Sequence, residues 1–211
     1  PGDATFRSDK SLEHCNKPVV DGRLCHACQT GKHVRLPFTS STSHTTAAFD
    51  LLHCDLWTAP LSSVSGAKYY LLIIDDFSCY RWTFPLKQKS DVSSIFRHFH
   101  AYVRTHFGRT IRTLQCDHGR EFDSAQNRDF LLPFGTVMRF SCPYTSSQNG
   151  KAKRAIRSTH DVVRTLLLQA SMPPRYWADA LATATLLLNL RPTKTLSLAT
   201  PHETLHQAPP L

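Results

Sequence analysis

Three strand-like segments that follow one another without a helix between them constrain the fold more than any other feature of the sequence. Residues 49–57 (FDLLHCDLW) are short and apolar, residues 67–75 (AKYYLLIID) are aromatic and β-branched in character, and residues 80–86 (YRWTFPL) follow a short turn. This series predicts an antiparallel meander. A helical pattern with an N-cap at Ser90 then runs to Phe107, and Gly108 ends it.

The rest of the chain alternates strand and helix patterns. The predicted elements are a strand at 110–116, a helix at 123–132, a strand at 135–140, a long helix after 150 that ends at about 171, and a last helix at 176–190. Pro173 and Pro174 separate the last two helices. The order β-β-β-α-β-α-β-α-α predicts an α/β domain in which a five-stranded mixed sheet is flanked by helices.

Composition differs between three segments of the chain, and the net charge indicates the kind of partner. Residues 1–36 are polar and aperiodic, residues 37–48 are rich in Ser and Thr as in a linker, and residues 49–211 form the globular domain. The 25 Lys and Arg against 16 Asp and Glu give a formal net charge of +9, which favours a polyanionic partner, above all nucleic acid. Neither a membrane span nor a leader is expected, because no apolar run approaches about 18 residues.

Two acids stand at the ends of predicted strands. Asp55 lies near the end of the first strand, and Asp117 follows the fourth. If these strands are neighbours, both carboxylates project at one edge of the sheet, where a hard cation such as Mg²⁺ finds oxygen ligands. From spacing alone, acids that merely cap strand ends are the more common explanation.

The residues around these acids resemble a known family. Three motifs carry the resemblance: HCDLW at 53–57, CDHGREF at 116–122 and SCPYTSSQNGKAKR at 141–154. In this order they resemble the integrase core of copia-type LTR retrotransposons, which belongs to the retroviral integrase superfamily and has an RNase H-like fold. The resemblance extends from about Phe49 to the ATPHE segment at 199–203.

The resemblance implies DNA integration by metal-dependent polynucleotidyl transfer, in which 3′-end processing precedes strand transfer. In the family, two Mg²⁺ or Mn²⁺ ions held by three carboxylates stabilise the attacking and leaving oxygens. Asp55 and Asp117 carry over as metal ligands. The implied partners are the DNA of the element ends and target DNA, with a homo-multimer and a nuclear location, and without a membrane or a small-molecule cofactor.

The third ligand of the family, a Glu in the first turn of the long helix, is replaced here by Lys153. Thirty-five residues separate Lys153 from Asp117, as in the superfamily. An ammonium has donors and no acceptor, and at about 4 Å it opposes a doubly charged ion by roughly 8 kcal/mol at an effective dielectric constant near 20. The resemblance assigns no substitute among the other acids, Glu121, Asp75 and Asp76. We therefore predict a catalytically impaired copy; His118 and Ser147 are further departures from the family.

A basic stripe on the long helix predicts a DNA face. Lys153, Arg157, His160 and Arg164 follow helical spacing, beside an apolar stripe that is expected to face the core. A solvated basic face is common, but the helix starts beside the predicted site, which favours phosphate contact. The predicted DNA-binding residues are Gln148, Asn149 and Lys151, assigned to the loop before the helix, with Arg154, Arg157, His160 and Arg164 on the helix.

Cysteines give two further predictions. Four cysteines are scattered singly along the chain, and we expect them to be reduced, buried thiols: Cys54, Cys79, Cys116 and Cys142. The Cys25–Cys28 pair resembles half of the family's N-terminal zinc domain, but a closed zinc site needs four ligands, and only His14 and Cys15 stand upstream. Residues 1–36 are therefore predicted to be a truncated HHCC-type zinc-finger remnant, with Cys25 and Cys28 as partial Zn²⁺ ligands.

Two other functions stay open. The chain is alternatively a non-catalytic nucleic-acid-binding relic or domesticated module, or a different RNase H-like nuclease that nicks without joining. The aromatic side chains of Trp57, Tyr70, Trp82, Phe84 and Trp177 are expected to pack in the core rather than stack on bases. Most histidines, among them His98, His100 and His106, are expected to face water.

Overall fold

The structure, a computed structural model, describes residues 45–142 and 146–209. The predictions for residues 1–36, including zinc binding by Cys25 and Cys28, lie outside the described residues, as does most of the predicted linker. The strands are β1 Leu52–Thr58, β2 Tyr69–Asp75, β3 Arg81–Leu86, β4 Thr113–Cys116 and β5 Val137–Phe140. The helices are α1 Val92–Phe107, α2 Ala125–Leu131, α3 Gly150–Gln169, α4 Trp177–Leu190 and α5 Pro201–His206.

The five strands form one mixed sheet in the order β3-β2-β1-β4-β5. β1, β2 and β3 pair antiparallel, as the predicted meander requires, whereas β4 pairs parallel with β1 and β5 pairs parallel with β4. The predicted five-stranded mixed sheet flanked by helices is therefore confirmed.

A separate apolar core covers each face of the sheet. Because side chains alternate along a strand, Leu71 and Ile73 of β2 face a core that contains Phe96 and Phe99 of α1. Tyr70 and Leu72 face the other core, which contains small side chains of α3 and the buried Leu181 of α4. The sheet is thus a middle layer, and α3 lies on the face that also carries Asp55.

The start of β1 differs from the prediction because of one residue. Phe49 is buried in the core that contains Phe96 and Phe99, but its φ of 69° is a left-handed conformation that is incompatible with a strand. Its backbone N–H donates to Asp75 Oδ1 at 2.9 Å. Phe49 therefore belongs to the turn before β1, and the strand begins three residues later.

The last helix, α5, was not predicted from the sequence. Thr200 and Glu203 form a capping box: the Thr200 hydroxyl accepts from the Glu203 N–H, and the Glu203 carboxylate accepts from the Thr200 N–H. This T-x-x-E signal was present in the sequence. None of the helices in the described part of the chain has the length and apolarity that a membrane crossing requires.

Two predictions about polar side chains were partly wrong. His98 and His106 are exposed, but His100 is buried and packs its ring 4.0 Å from that of Phe134. Among the singly placed cysteines, Cys54 and Cys116 are buried, Cys79 is half-buried and Cys142 is exposed. The predicted core aromatics do pack in the two cores; Tyr70 is fully buried.

Candidate active site

Strand register places the two predicted acids side by side. In the parallel pairing of β1 with β4, Leu52 lies opposite Leu114 and His53 opposite Gln115. The same register, continued two residues further, brings Asp55 opposite Asp117 on the sheet face that α3 covers. Asp55 is 7% exposed, and its Oδ1 accepts from the Leu56 N–H at 3.0 Å.

The electrostatics of the pair show which charges lie around Asp55. Burial, and then the negative charge of Asp117, raise the pKa of Asp55 to about 6. The positive charge of Lys153 acts in the opposite direction, and Glu121 adds a smaller increase. Lys153 is therefore within electrostatic reach of Asp55.

Two side chains fix the start of α3 above β1. Asn149 Nδ2 donates to the Cys54 carbonyl oxygen at 2.8 Å, directly after the point where the β1–β4 pairing ends. Lys151 Nζ donates to the Asp76 carbonyl oxygen at 2.6 Å and to Asp76 Oδ1 at 2.8 Å. These bonds hold the first turn of α3, and hence Lys153, over the end of β1.

The structure gives the three predicted DNA-binding residues before Arg154 different surroundings. Asn149 is fully buried, so its amide positions the helix and is not presented to a ligand. Lys151 lies in α3 rather than in the preceding loop, and its cation is bound by Asp76. Gln148 lies in a 3₁₀ turn, Ser146–Asn149; it is exposed, and its Oε1 accepts from the Cys142 N–H at 2.7 Å.

The three acids considered as substitutes for the missing ligand have other partners. Glu121 Oε1 lies 3.3 Å from Lys89 Nζ, and its carboxylate lies so close to Gly119 that a Cβ there would be 2.7 Å from it. Asp76 is paired with Lys151, and Asp75 accepts from the Ser78 hydroxyl at 2.7 Å.

A two-metal centre does not fit this donor set. Within the described residues, no group of three or more His, Cys, Asp or Glu side chains is arranged to hold a metal ion. Asp55 and Asp117 supply carboxylates, and Lys153 adds a positive charge where a third carboxylate is required.

The remaining predicted residues of α3 border a groove. Lys153, Arg157, His160 and Arg164 all line one cavity of about 560 Å³ along this helix, which we call the α3 groove. Arg154 and Arg157 are exposed. His160 is half-buried, and its Nε2 lies 2.9 Å from the Tyr70 hydroxyl, so its ring is a packed element of the groove.

Comparison with known proteins assigns the fold to a class. Residues 45–146 match the family model of the integrase core domain. A simian T-cell lymphotropic virus intasome, solved with PP2A regulatory subunit B56 gamma, has a TM-score of 0.68 at 17% identity over 89% of this chain and 64% of that chain. The HTLV-2 integrase catalytic core domain, solved with magnesium, has a TM-score of 0.56 at 17% identity over 75% of this chain and 97% of that chain. The fold is the RNase H-like fold of retroviral integrase catalytic cores.

Proteins of similar sequence show which group of integrase cores this chain belongs to. The chain is 36% identical over 186 residues, 88% of its length, to the retrovirus-related Pol polyprotein from transposon RE2 of Arabidopsis thaliana, and spans 13% of that polyprotein. The chain belongs to the integrase core family, in the form carried by the Pol polyproteins of copia-type LTR retrotransposons, as its motifs indicated.

Proposed function

We propose that this chain is a DNA-binding integrase core whose strand-transfer activity is lost or nearly lost. The observation that carries the proposal is the position of Lys153. The side chain lies within electrostatic reach of Asp55, on the helix turn that should supply a third carboxylate. In-line phosphoryl displacement depends on charge compensation at the attacking and leaving oxygens, and this donor set is incomplete for that purpose.

DNA binding does not depend on the missing ligand. Arg154, Arg157 and Arg164 are exposed on α3, and the whole chain carries a net charge of +9. Contacts between such cations and phosphates give sequence-independent affinity that falls steeply with salt. The proposed ligands are the DNA of element ends and target DNA, bound by a multimer of this chain in the nucleus.

A strand-transfer assay with Mn²⁺ tests the loss of activity. The unmodified chain should give no joined product above background, whereas Lys153→Glu should restore joining. The double variant Lys153→Glu with Asp117→Asn is the matched control and should be inactive again. Robust joining by the unmodified chain would overturn the proposal, and nicks without joining would indicate a different RNase H-like nuclease.

A second candidate function is a non-catalytic DNA-binding module. The observation that favours it is the difference between the incomplete acid pair and the basic border of α3, which keeps three exposed arginines. DNA binding by the unmodified chain together with no activity in Lys153→Glu would support this alternative.

The N-terminal segment is a separate proposal. We propose that residues 1–36 are a zinc-finger remnant in which Cys25 and Cys28 are partial ligands, because residues 1–24 offer only His14 and Cys15 as further ligands. Metal analysis of the purified chain should find Zn²⁺ well below one equivalent. Tightly held, equimolar zinc would contradict the proposal.

A further inference from the structure

The floor of the α3 groove is apolar and is made by three segments of the chain. Trp57 and Leu61 come from β1 and the connection after it, Ile156 from α3, and Pro174 and Trp177 from the start of α4. Trp57 is half-buried, whereas Trp177 is only 6% exposed. Most of the apolar surface that a ligand can reach is therefore aliphatic.

The walls of the α3 groove are held together before any ligand binds. Trp177 Nε1 donates to the Leu61 carbonyl oxygen at 3.2 Å, and the Val64 N–H donates to the Arg175 carbonyl oxygen at 2.9 Å. The Trp57 and Trp177 rings meet edge to face at 5.6 Å. A groove that is ordered beforehand binds a partner without a large ordering cost.

Apolar surface continues beyond the groove on the same face of α3. Leu168 follows Arg164 by one helical turn, and Met172 comes just after the end of the helix. These two side chains are 80% and 40% exposed. From Lys153 to Leu168 the face is about 22 Å long. An exposed apolar surface that is continuous with a groove indicates a site where another molecule binds.

Positive charge is concentrated at the other end of this face, where α3 begins. Lys153 and Arg157 are exposed and form no ion pair within the described ranges. Arg164, nearer the apolar end, is paired with Asp161. Burial, and then the charge of Arg164, lower the pKa of His160, so its imidazole is neutral at pH 7. The face therefore changes from cationic at its start to apolar at its end.

We propose that this face of α3 binds an acidic amphipathic helix of a partner protein. Apolar side chains of the partner fill the groove and cover Leu168 and Met172, and its carboxylates lie against Lys153 and Arg157. The described residues that line the groove include no acid, so the charges of the two molecules are complementary. A face of this length accommodates about four helical turns, in the docking mode that amphipathic helices use in apolar grooves.

The apolar part of the face favours a protein over a nucleic acid. Duplex DNA presents its charged phosphates to a partner, and it has no aliphatic side chains with which to cover Leu168 and Met172. Unpaired bases stack on aromatic rings, and of the two tryptophans in the groove only Trp57 is open to such contact. Leucine-like side chains at helical spacing match the aliphatic surface better.

Binding of the partner helix goes beyond the proposed function, because it requires no DNA. The two nevertheless share Arg157, which also belongs to the proposed DNA-binding border of α3. A helix docked on this face should therefore displace DNA from the start of α3. The partner would act as a protein inhibitor of DNA binding.

Fluorescence titration of the full chain with synthetic peptides tests the proposal. The probe is a helical peptide of about 18 residues, with leucines at i, i+3, i+4 and i+7 spacing and glutamates beside them at one end. The control peptide has the same composition in an order that leaves no apolar face. We expect the probe to change the tryptophan fluorescence and to bind at least about tenfold more tightly than the control, since only the probe buries its leucines together.

Two leucine variants locate the bound peptide. Leu168→Glu places a charge on the apolar end of the face and should weaken binding of the probe by about tenfold or more. Leu186→Glu makes the same change on α4, at a 56% exposed position that does not line the groove, and should leave binding unchanged. Both leucines are exposed, so both variants should remain folded.

A charge exchange tests the cationic end. Arg157→Glu should weaken binding of the acidic probe by roughly threefold to tenfold. The same variant should bind a peptide whose glutamates are replaced by lysines more tightly than the unmodified chain does. A disturbed fold cannot produce this reversal.

The outcomes distinguish the docked helix from the proposed DNA binding. Equal binding of the probe and the control peptide, or an equal loss in Leu168→Glu and Leu186→Glu, would overturn the proposal. So would an unpaired DNA strand that needs Leu168 when neither peptide binds, because the face would then belong to nucleic acid. Failure of DNA to bind, with the peptide results as expected, would contradict the proposed function and leave the helix site standing.

Discussion

The acid pair and the α3 groove lie on the same helix but differ in how much each depends on a single residue. Asp55 is buried and Asp117 is half-buried, and in the proposed function this pair requires a third oxygen ligand that Lys153 does not supply. The groove border distributes its charge over several exposed side chains. Phosphate binding is a sum of many similar contacts, so it survives the loss of any one of them.

In the proposed function, the same substitution has opposite effects on the two regions. A lysine in place of the family's glutamate would remove a metal ligand from the acid pair and add a cation to the groove, a change of two charges. Catalysis and DNA binding should therefore be separable in this chain.

The largest expected effect separates the missing ligand from the added charge. Lys153→Glu should raise strand transfer with Mn²⁺ by about 10²–10³-fold over the unmodified chain, the range seen for single charge-stabilising groups. Lys153→Gln removes the ammonium without supplying a carboxylate and should stay within a few-fold of background. Equal recovery in both variants would show that repulsion alone, rather than ligand loss, had silenced the site.

Much of the fold was predictable because its signals are local. Residues 69–75 and 92–107 follow strand and helix patterns, and the structure confirms both elements. The errors arise where tertiary contacts override a local pattern. Phe49 looked like the first residue of a strand but adopts a positive φ, and His100 looked exposed although it packs against Phe134.

The site was predictable only as far as family motifs indicate it. Asp55 and Asp117 were noticed at the ends of predicted strands, but only the motifs around them favoured a site and indicated position 153. The positioning role of Asn149 was missed because it depends on a bond to Cys54, 95 residues earlier, which leaves no trace in local sequence. The α3 groove was also missed, since Trp57, Leu61 and Trp177 come together only in the folded chain.

The charged Asp55 carboxylate of the acid pair should lower the stability of the folded chain at alkaline pH. The groove should have no such effect. The raised pKa of Asp55, about 6 against 3.8, means that the folded state binds a proton more tightly than the unfolded state. The associated stabilisation is fully present below pH 3.8 and is lost as the pH rises through 6. Asp55→Asn should therefore increase the free energy of unfolding by up to about 3 kcal/mol at pH 8 and by little at pH 4.

Chemical denaturation at the two pH values provides the measurement for Asp55→Asn. Asp91→Asn, directly before α1, is the control. Asp91 is not among the groups whose charges shift the pKa of Asp55. A gain at pH 8 that equals the gain at pH 4 would contradict a burial penalty on the Asp55 carboxylate. DNA affinity should stay close to that of the unmodified chain.

Loss of the Asn149 hydrogen bond should loosen the start of α3, beside the acid pair, more than the part of α3 that borders the groove. Asn149→Ala leaves the Cys54 carbonyl oxygen without its donor, and we expect a loss of about 1–2 kcal/mol in unfolding free energy. Asn149→Asp should cost more, because it places a carboxylate against that carbonyl. Thermal denaturation measures both variants, and the opposite order would show that the amide donor is not the stabilising group.

The smallest expected effect concerns a single cation of the groove border. Arg157→Ala should reduce the slope of the logarithm of DNA affinity against the logarithm of salt concentration by about one, equally for unrelated sequences. Arg104→Ala removes the same charge from exposed surface on α1, which lies on the opposite face of the sheet, and should leave the slope unchanged. If both variants change the slope equally, net charge alone attracts the DNA and the α3 border has no special role. If only Arg157→Ala does so, the phosphates lie along α3, beside the acid pair.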